Sequence, residues 1–157
     1  MANVTDPPDN ESVLDENERA YLAYGEQLRA AVAASIEGWL RIQLQRFPGL
    51  NVDALAPDIA NVANEADRRL VELIEADVDT PLSGPLERIR GAVELLGPTL
   101  RDHGVTPPTR DPFDVRVRPD DHYALGPISF ADLGEPVHQA GIAWGAAKAY
   151  LHKAKRK

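Results

Sequence analysis

Six apolar residues between positions 82 and 100 follow one another at intervals of four, three, four, three and four residues. They are Leu82, Leu86, Ile89, Val93, Leu96 and Leu100. This alternation places all six on one side of an α-helix, as in a helix that packs lengthwise against another helix. It predicts a helix over about 84–103, followed by Gly104 as a left-handed terminal residue with Val105 placed to contact Leu100. Gly97-Pro98 falls inside the seam and is expected to kink or split this helix, because proline lacks an amide donor and crowds the preceding turn.

Two further helices are predicted before this seam, over about 13–46 and 54–77. In both, apolar residues recur every three or four positions, which is typical of an amphipathic helix. The first stripe comprises Tyr21, Tyr24, Leu28, Val32, Ile36 and Trp39, widened by Leu40, Leu44 and Phe47, and the second comprises Ile59, Val62, Ala66, Leu70, Leu73 and Ile74. The first helix is expected to end before Pro48-Gly49. On the opposite face of the second, Glu65, Arg68, Arg69 and Glu72 are spaced for ion pairs.

A proline-rich segment over 105–135 is expected to wrap the bundle as an ordered strap. It contains five prolines, and a sixth, Pro136, follows directly, so it cannot form one regular element. Phe113, Val115 and Val117 alternate with charged residues, which predicts a short extended segment with one buried face. Ser129 and Asp132 predict a capped single helical turn.

The last helix is predicted over about 136–155, opening at Glu135-Pro136 with proline in the first turn. Gly141, Gly145 and Ala149 recur every fourth residue, and this spacing lets another backbone approach closely beside the large Trp144. Two interpretations follow from this glycine face. It packs inside the bundle, which we favour, or it forms the seam of a homodimer.

These elements predict an all-α bundle of three to four long amphipathic helices, with the strap before the last helix. The chain has 157 residues, of which 43% are hydrophobic and 27% are charged, as is usual for one folded domain. We expect an acidic flexible tail over 1–11 and a single helical domain over 12–157.

Charge and composition exclude several classes of function. The net charge of −8 disfavours a nucleic-acid partner, and the absence of cysteine excludes disulfides and thiolate chemistry. The first residues lack the cationic and apolar parts of a secretory signal, and no apolar window approaches the ~20 residues of a membrane span. A cytoplasmic location without a membrane partner is therefore expected.

Few residues offer catalytic or metal-binding chemistry. Glu135 and His138 have the Glu-x-x-His spacing of di-iron bundles, but a second copy of the motif is missing, so helix-start chemistry explains them as well. Asp121 and His122 are the other metal candidates, and turn formation is the alternative there. No serine elbow or phosphate loop occurs, so we expect no catalytic residue and no cofactor.

The carboxyl end predicts an interaction surface. Lys148, Lys153, Lys155 and Arg156 lie within the last ten residues, and no acid accompanies them. Part of this charge complements the negative end of the last helix. The sharper hypothesis is an electrostatic contact with an acidic partner, for which another copy of the chain with its acidic first residues is a candidate. With Gly141, Trp144 and Gly145, these basic residues make up the predicted interaction set.

One resemblance adds a setting but no activity. Ser129-Phe130-Ala131-Asp132-Leu133, followed by the segment from Gly141 to Ala149, resembles the ending of a group of small actinobacterial proteins of unknown function. It covers about a quarter of the chain. The resemblance implies a bacterial cytoplasmic setting and supplies no catalytic residue.

Two classes of function follow. The preferred one is a non-enzymatic interaction or adaptor protein that binds another protein or itself, because apolar seams and helix caps account for most of the distinctive residues. The alternative is a small helical-bundle enzyme or a ligand- or metal-binding protein. Its site would lie near the strap, with Asp121, His122, Glu135 and His138 at the mouth of a pocket.

Overall fold

The computed structural model describes residues 10–75, 84–107, 123 and 125–155, and these form an all-α bundle without a strand in the described part. The predicted fold class is therefore confirmed. Two short 3-10 turns, Val52–Leu55 and Phe130–Leu133, accompany five α-helices, which are α1 (Asn10–Leu44), α2 (Ala56–Glu75), α3 (Gly84–Val93), α4 (Leu96–Asp102) and α5 (Glu135–Lys155). No helix in the described residues combines the length and the hydropathy that crossing a membrane requires.

Helix α1 is the centre of the bundle because it contacts both α2 and α5, and α2 packs in turn against α3. Most of its predicted stripe is buried, namely Tyr21, Leu28, Val32, Ile36, Leu40 and Leu44. Tyr24 is exposed and Trp39 is only half-buried, so the stripe is narrower than the sequence predicted. Helices α1 and α2 approach closely at Gly25, where an added Cβ would lie 2.8 Å from Cγ2 of Ile74.

Helix α1 begins and ends slightly earlier than the predicted 13–46. Helix α2 is described as far as Glu75, and the last two residues of its predicted range lie outside the described residues. After α1 the chain turns at Gly49, which has a φ of 78° that suits a residue without a side chain. Six predicted inward residues of α2 are all buried. The inward stripe of α2 was therefore read correctly from its spacing.

The third predicted helix is split, as Gly97-Pro98 indicated, into α3 and α4. The break lies at residues 94 and 95, before the proline. Pro98 then sits in the first turn of α4, where the missing amide costs no helical hydrogen bond. Helix α4 ends at Asp102 and is followed by Gly104, whose φ is 77°, and the amide of Val105 donates to the Leu100 carbonyl at 2.9 Å. This is the helix-ending glycine motif that the sequence predicted.

The described end of the strap is tied to the bundle by side chains. The Tyr123 hydroxyl donates to the Val105 carbonyl at 3.0 Å, and Arg90 Nη1 donates to the Pro127 carbonyl at 2.8 Å. Ser129 and Asp132 form the predicted capping box. The predicted extended segment over 113–117, Leu82 and residues 1–9 of the tail predicted over 1–11 lie outside the described residues. Residues 10 and 11 of that tail already belong to α1.

Candidate binding site

Helix α5 buries one face against α1, and this face fixes the position of the candidate site. Val137, Trp144, Ala147 and Leu151 are buried on it. The ring centroid of Trp144 lies 5.7 Å from that of Tyr21 in α1, a distance typical of an aromatic pair. Helix α5 is thus held by a large aromatic anchor near its centre.

A cavity of about 450 Å³ lies between α5, the end of the strap and α3. Its wall is almost entirely apolar, and His138 and Ser129 supply its polar side chains. The lining residues are Leu86, Ile128, Ser129, Phe130, His138, Gly141, Ile142, Trp144, Gly145 and Ala146. A mostly apolar cavity of this volume with a few polar groups suits the binding of an apolar molecule or side chain.

Gly141 forms part of the cavity wall because Phe130 lies directly on it. A Cβ added at Gly141 would come within 2.5 Å of Cδ2 of the Phe130 ring. The space beside Gly141 is therefore taken by a side chain of the same chain, whereas the glycine spacing had predicted the approach of another backbone. Gly141 is buried, which agrees with the favoured interpretation of packing inside the bundle. Gly145 is half-buried and faces the cavity.

Lys148 is inside the protein and does not belong to the exposed basic end, contrary to the sequence-based expectation. Only 6% of it is exposed, and its Nζ lies 5.4 Å from the centroid of the Trp144 ring. At this distance a cation and an indole ring attract each other. The spacing does place Lys148 on the face of Trp144, one helical turn later, but its positive charge grouped it with the basic end in the sequence analysis. The Trp144 Nε1 donor has no hydrogen-bond partner among the described residues.

The opposite side of α5 exposes apolar side chains between polar residues at its two ends. We call it the outward face of α5 and define it by Glu135, Gln139, Ile142, Ala146, Tyr150 and Lys153, all of which are exposed. Ile142 is 55% exposed and Tyr150 is 67% exposed, and the neighbouring rim residue Ile128 is 48% exposed. This surface was missed in the sequence. The spacing of Ile142, Ala146 and Tyr150 was visible, but apolar residues on two sides of a helix do not reveal what covers each side.

Of the four residues predicted as metal candidates, the structure describes only Glu135 and His138, and only His138 lines the cavity. His138 lines the cavity, whereas the Glu135 carboxylate is exposed and accepts a hydrogen bond from Gln139 Nε2 at 2.6 Å. Asp121 and His122 lie outside the described residues. Within the described ranges, no group of three or more histidine, aspartate or glutamate side chains is arranged to hold a metal ion.

The remaining candidates belong to the basic end. Lys153 is exposed at the last turn of the outward face. The helix continues through Lys155, of which the structure describes only the backbone, and Arg156 is outside the described residues. Of the predicted interaction set, the structure thus gathers Gly141, Trp144 and Gly145 around the cavity and separates them from Lys153.

Charged side chains elsewhere serve the fold. Arg29 in α1 donates from Nε and Nη2 to the two carboxylate oxygens of Asp67 in α2, each at 3.0 Å. This hydrogen bonding raises the pKa of Arg29 above its ordinary value. On α2, a hydrogen bond from Arg68 and a weaker contribution from Arg69 lower the pKa of Glu65 to about 2. The predicted ion pairs of α2 are confirmed by these contacts.

No protein-family model, curated protein or solved structure matches this chain. The resemblance to small actinobacterial proteins therefore stays a prediction. Two features of α5 therefore bear on the function. One is the cavity on its flank, and the other is the outward face beside it.

Proposed function

We propose that this chain is a non-enzymatic interaction protein that binds another protein surface through the outward face of α5. The observation that carries the proposal is the row of Ile142, Ala146 and Tyr150, spaced one helical turn apart and exposed. Single exposed apolar residues are normal on a protein surface, but a contiguous apolar patch marks a site of interaction. Ile128 at the cavity rim extends this patch beyond the helix.

Apolar burial supports this proposal more strongly than charge does. Full burial of an exposed isoleucine contributes about 1.5–3 kcal/mol, and Ile142, which is 55% exposed, has about half of this left to gain. Each exposed ion pair contributes only ~0–1 kcal/mol. A partner that covers the centre of the outward face therefore gains most of its binding energy there, while Glu135 and Lys153 at the two ends set its orientation.

The test is a pull-down from native lysate with the tagged full chain and with its Ile142→Asp variant. Ile42→Asp is the matched control, because Ile42 is also an isoleucine, is 62% exposed and lies on α1. We expect a stoichiometric partner, which includes a second copy, with the wild-type chain and Ile42→Asp but not with Ile142→Asp. If the two variants captured the same proteins in equal amounts, the outward face of α5 would not be the interaction surface.

A second candidate function, ligand binding, is favoured by the cavity of about 450 Å³ beside the strap. Its apolar wall fits a small apolar molecule with one polar group near His138 or Ser129. The test is saturable binding of an apolar fluorescent dye by the wild-type chain and by Gly145→Leu, which places a side chain in the cavity. The matched control is Gly38→Leu, since a Cβ at Gly38 meets no atom within 4 Å. Equal dye binding by both variants would remove the support for this candidate.

A further inference from the structure

We propose that the partner of the outward face is a second copy of this chain. The two α5 helices lie antiparallel, with their outward faces in contact, and the two-fold axis crosses them at the level of residue 144, midway between Glu135 and Lys153. This inference rests on the proposed function and specifies its partner. A two-fold interface requires a surface that complements itself, because each residue pair occurs twice. The order of residues along the outward face of α5 meets this requirement.

The two ends of the face carry opposite charges on one line along the helix. Glu135 and Lys153 are eighteen residues apart, which is five turns of 3.6 residues and a length of about 27 Å. Both are exposed. When a second helix lies antiparallel with residue 144 at the centre, Glu135 of each copy faces Lys153 of the other. In a parallel arrangement, each charge would face its own like charge.

The apolar centre obeys the same symmetry. Ile142 follows Glu135 by seven residues, and Ala146 precedes Lys153 by seven. In the antiparallel pair the large Ile142 side chain therefore meets the small Ala146 of the other copy, so that a projecting side chain faces a gap. Both residues are exposed in the chain as described, so the contact needs no rearrangement of the bundle.

The wider charge distribution favours the same direction. Asp132 lies just before α5 on the side of Glu135, and His152 and Lys155 neighbour Lys153 at the other end. Antiparallel helices also place the positive end of one helix dipole beside the negative end of the other. Because each chain has a net charge of −8, overall repulsion between the two copies opposes association. Added salt weakens this repulsion and also the attraction between Glu135 and Lys153. Charge-reversal variants therefore distinguish the two contributions better than a salt series does.

The size of the face predicts a dimer that dissociates readily. A strip about 27 Å long and about 10 Å wide is smaller than the ~800 Å² per partner that stable complexes bury. Association therefore has to be measured over a concentration range of about 1 μM to 1 mM, where a weak dimer is populated.

The experiment is sedimentation equilibrium of the full chain with Glu135→Lys, Lys153→Glu and the double variant. We expect each single variant to dimerise about tenfold more weakly than the wild type, because two attractive pairs become repulsive. The double variant, and an equimolar mixture of the two single variants, should recover the wild-type constant, since opposite charges face each other again. Circular dichroism and thermal melts establish that each variant keeps the fold, which is expected at exposed positions.

Two results would overturn the inference. A wild-type chain that stays monomeric throughout the concentration range excludes the second copy as partner. Single variants that dimerise as strongly as the wild type exclude the antiparallel register. In that register each single variant turns two attractive pairs into repulsive ones, whereas in a parallel pair like charges face each other before and after the substitution. If the chain is monomeric but captures a different protein that Ile142→Asp loses, this inference fails while the proposed function stands.

Discussion

Helices α2 and α5 have similar lengths and pack on the same central helix, yet their solvent faces differ in chemistry. Both bury a continuous apolar stripe against α1. The outer side of α2 carries Glu65, Arg68 and Glu72 in ion pairs, whereas the outer side of α5 carries Ile142, Ala146 and Tyr150. Stability accounts for the inner stripes of both helices. It does not account for the exposed apolar residues on the outer side of α5, and this difference is the reason for proposing α5 as the interacting helix.

The two helices are also joined to α1 by different chemistry. Helix α2 is joined by close approach at Gly25 and by the pair of Arg29 with Asp67, which remains partly exposed to water. Helix α5 is joined by the ring contact of Tyr21 with Trp144, which is buried. Truncating a buried side chain is therefore expected to destabilise the interface of α5. The interface of α2 is expected to be sensitive to such truncation and also to loss of charge and to salt.

The largest effect is expected from Trp144→Ala. Removing this buried ring leaves a cavity between α5 and α1, and such substitutions cost about 3–5 kcal/mol. Leu70→Ala in α2 is the comparison, with an expected cost of about 2–5 kcal/mol. Urea unfolding followed by circular dichroism measures both. A cost below about 1 kcal/mol for Trp144→Ala would mean that α5 is not held by its inner face.

A smaller effect is expected at Gly141, where α5 contacts the 3-10 turn. Gly141→Ala forces the Phe130 ring to move and is expected to cost about 1–3 kcal/mol. Gly38→Ala is the matched control in α1, where the Cβ meets no atom within 4 Å. That variant should be stabilised by about 0.5–1 kcal/mol, because alanine favours a helix over glycine. If both variants were stabilised equally in thermal melts, the contact of Phe130 with Gly141 would not restrict the turn.

The inner faces could be read from the sequence because each follows a simple helical period. The spacing in α2 identified all six of its buried stripe residues, and Gly104 and the capping box of Ser129 with Asp132 were recognised from local chemistry. These features depend on neighbours within a few positions along the chain. Their prediction therefore needs no knowledge of which helices are in contact.

The candidate site could not be read in the same way because it depends on tertiary contacts. The cavity brings Leu86 together with Phe130 and His138, which lie far from it in the sequence. The burial of Lys148 depends on which side of α5 faces α1. The spacing of Val137, Trp144 and Leu151 indicates one face of α5, but only the position of α1 shows what covers it.

A modest effect is expected when the charged contact between α2 and α1 is removed. Asp67→Asn abolishes the paired hydrogen bonds of Arg29 across the two helices, and a partly exposed pair of this kind contributes about 0.5–1 kcal/mol. The loss should shrink at high salt, because salt already screens the pair in the wild type. Urea unfolding at low and at high salt checks this. An equal loss at both salt concentrations would indicate packing rather than charge.

The smallest effect on stability is expected at Glu65, where the outer face of α2 depends on pH. Hydrogen bonds from Arg68, with Arg69 adding to them, lower the pKa of Glu65 from 4.5 to about 2 in the folded chain. The folded state therefore favours the ionised carboxylate, and this contribution is complete above pH 4.5 and is lost as the pH falls towards 2. Arg68→Ala should move the pKa of Glu65 back towards 4.5, with Arg69 retaining part of the shift, and carbon-detected NMR titration of the carboxyl measures it. An unchanged pKa in Arg68→Ala would show that the ion pairs are not maintained in solution. The contrast between the hydrated ionic face of α2 and the apolar face of α5 would then have to rest on α5 alone.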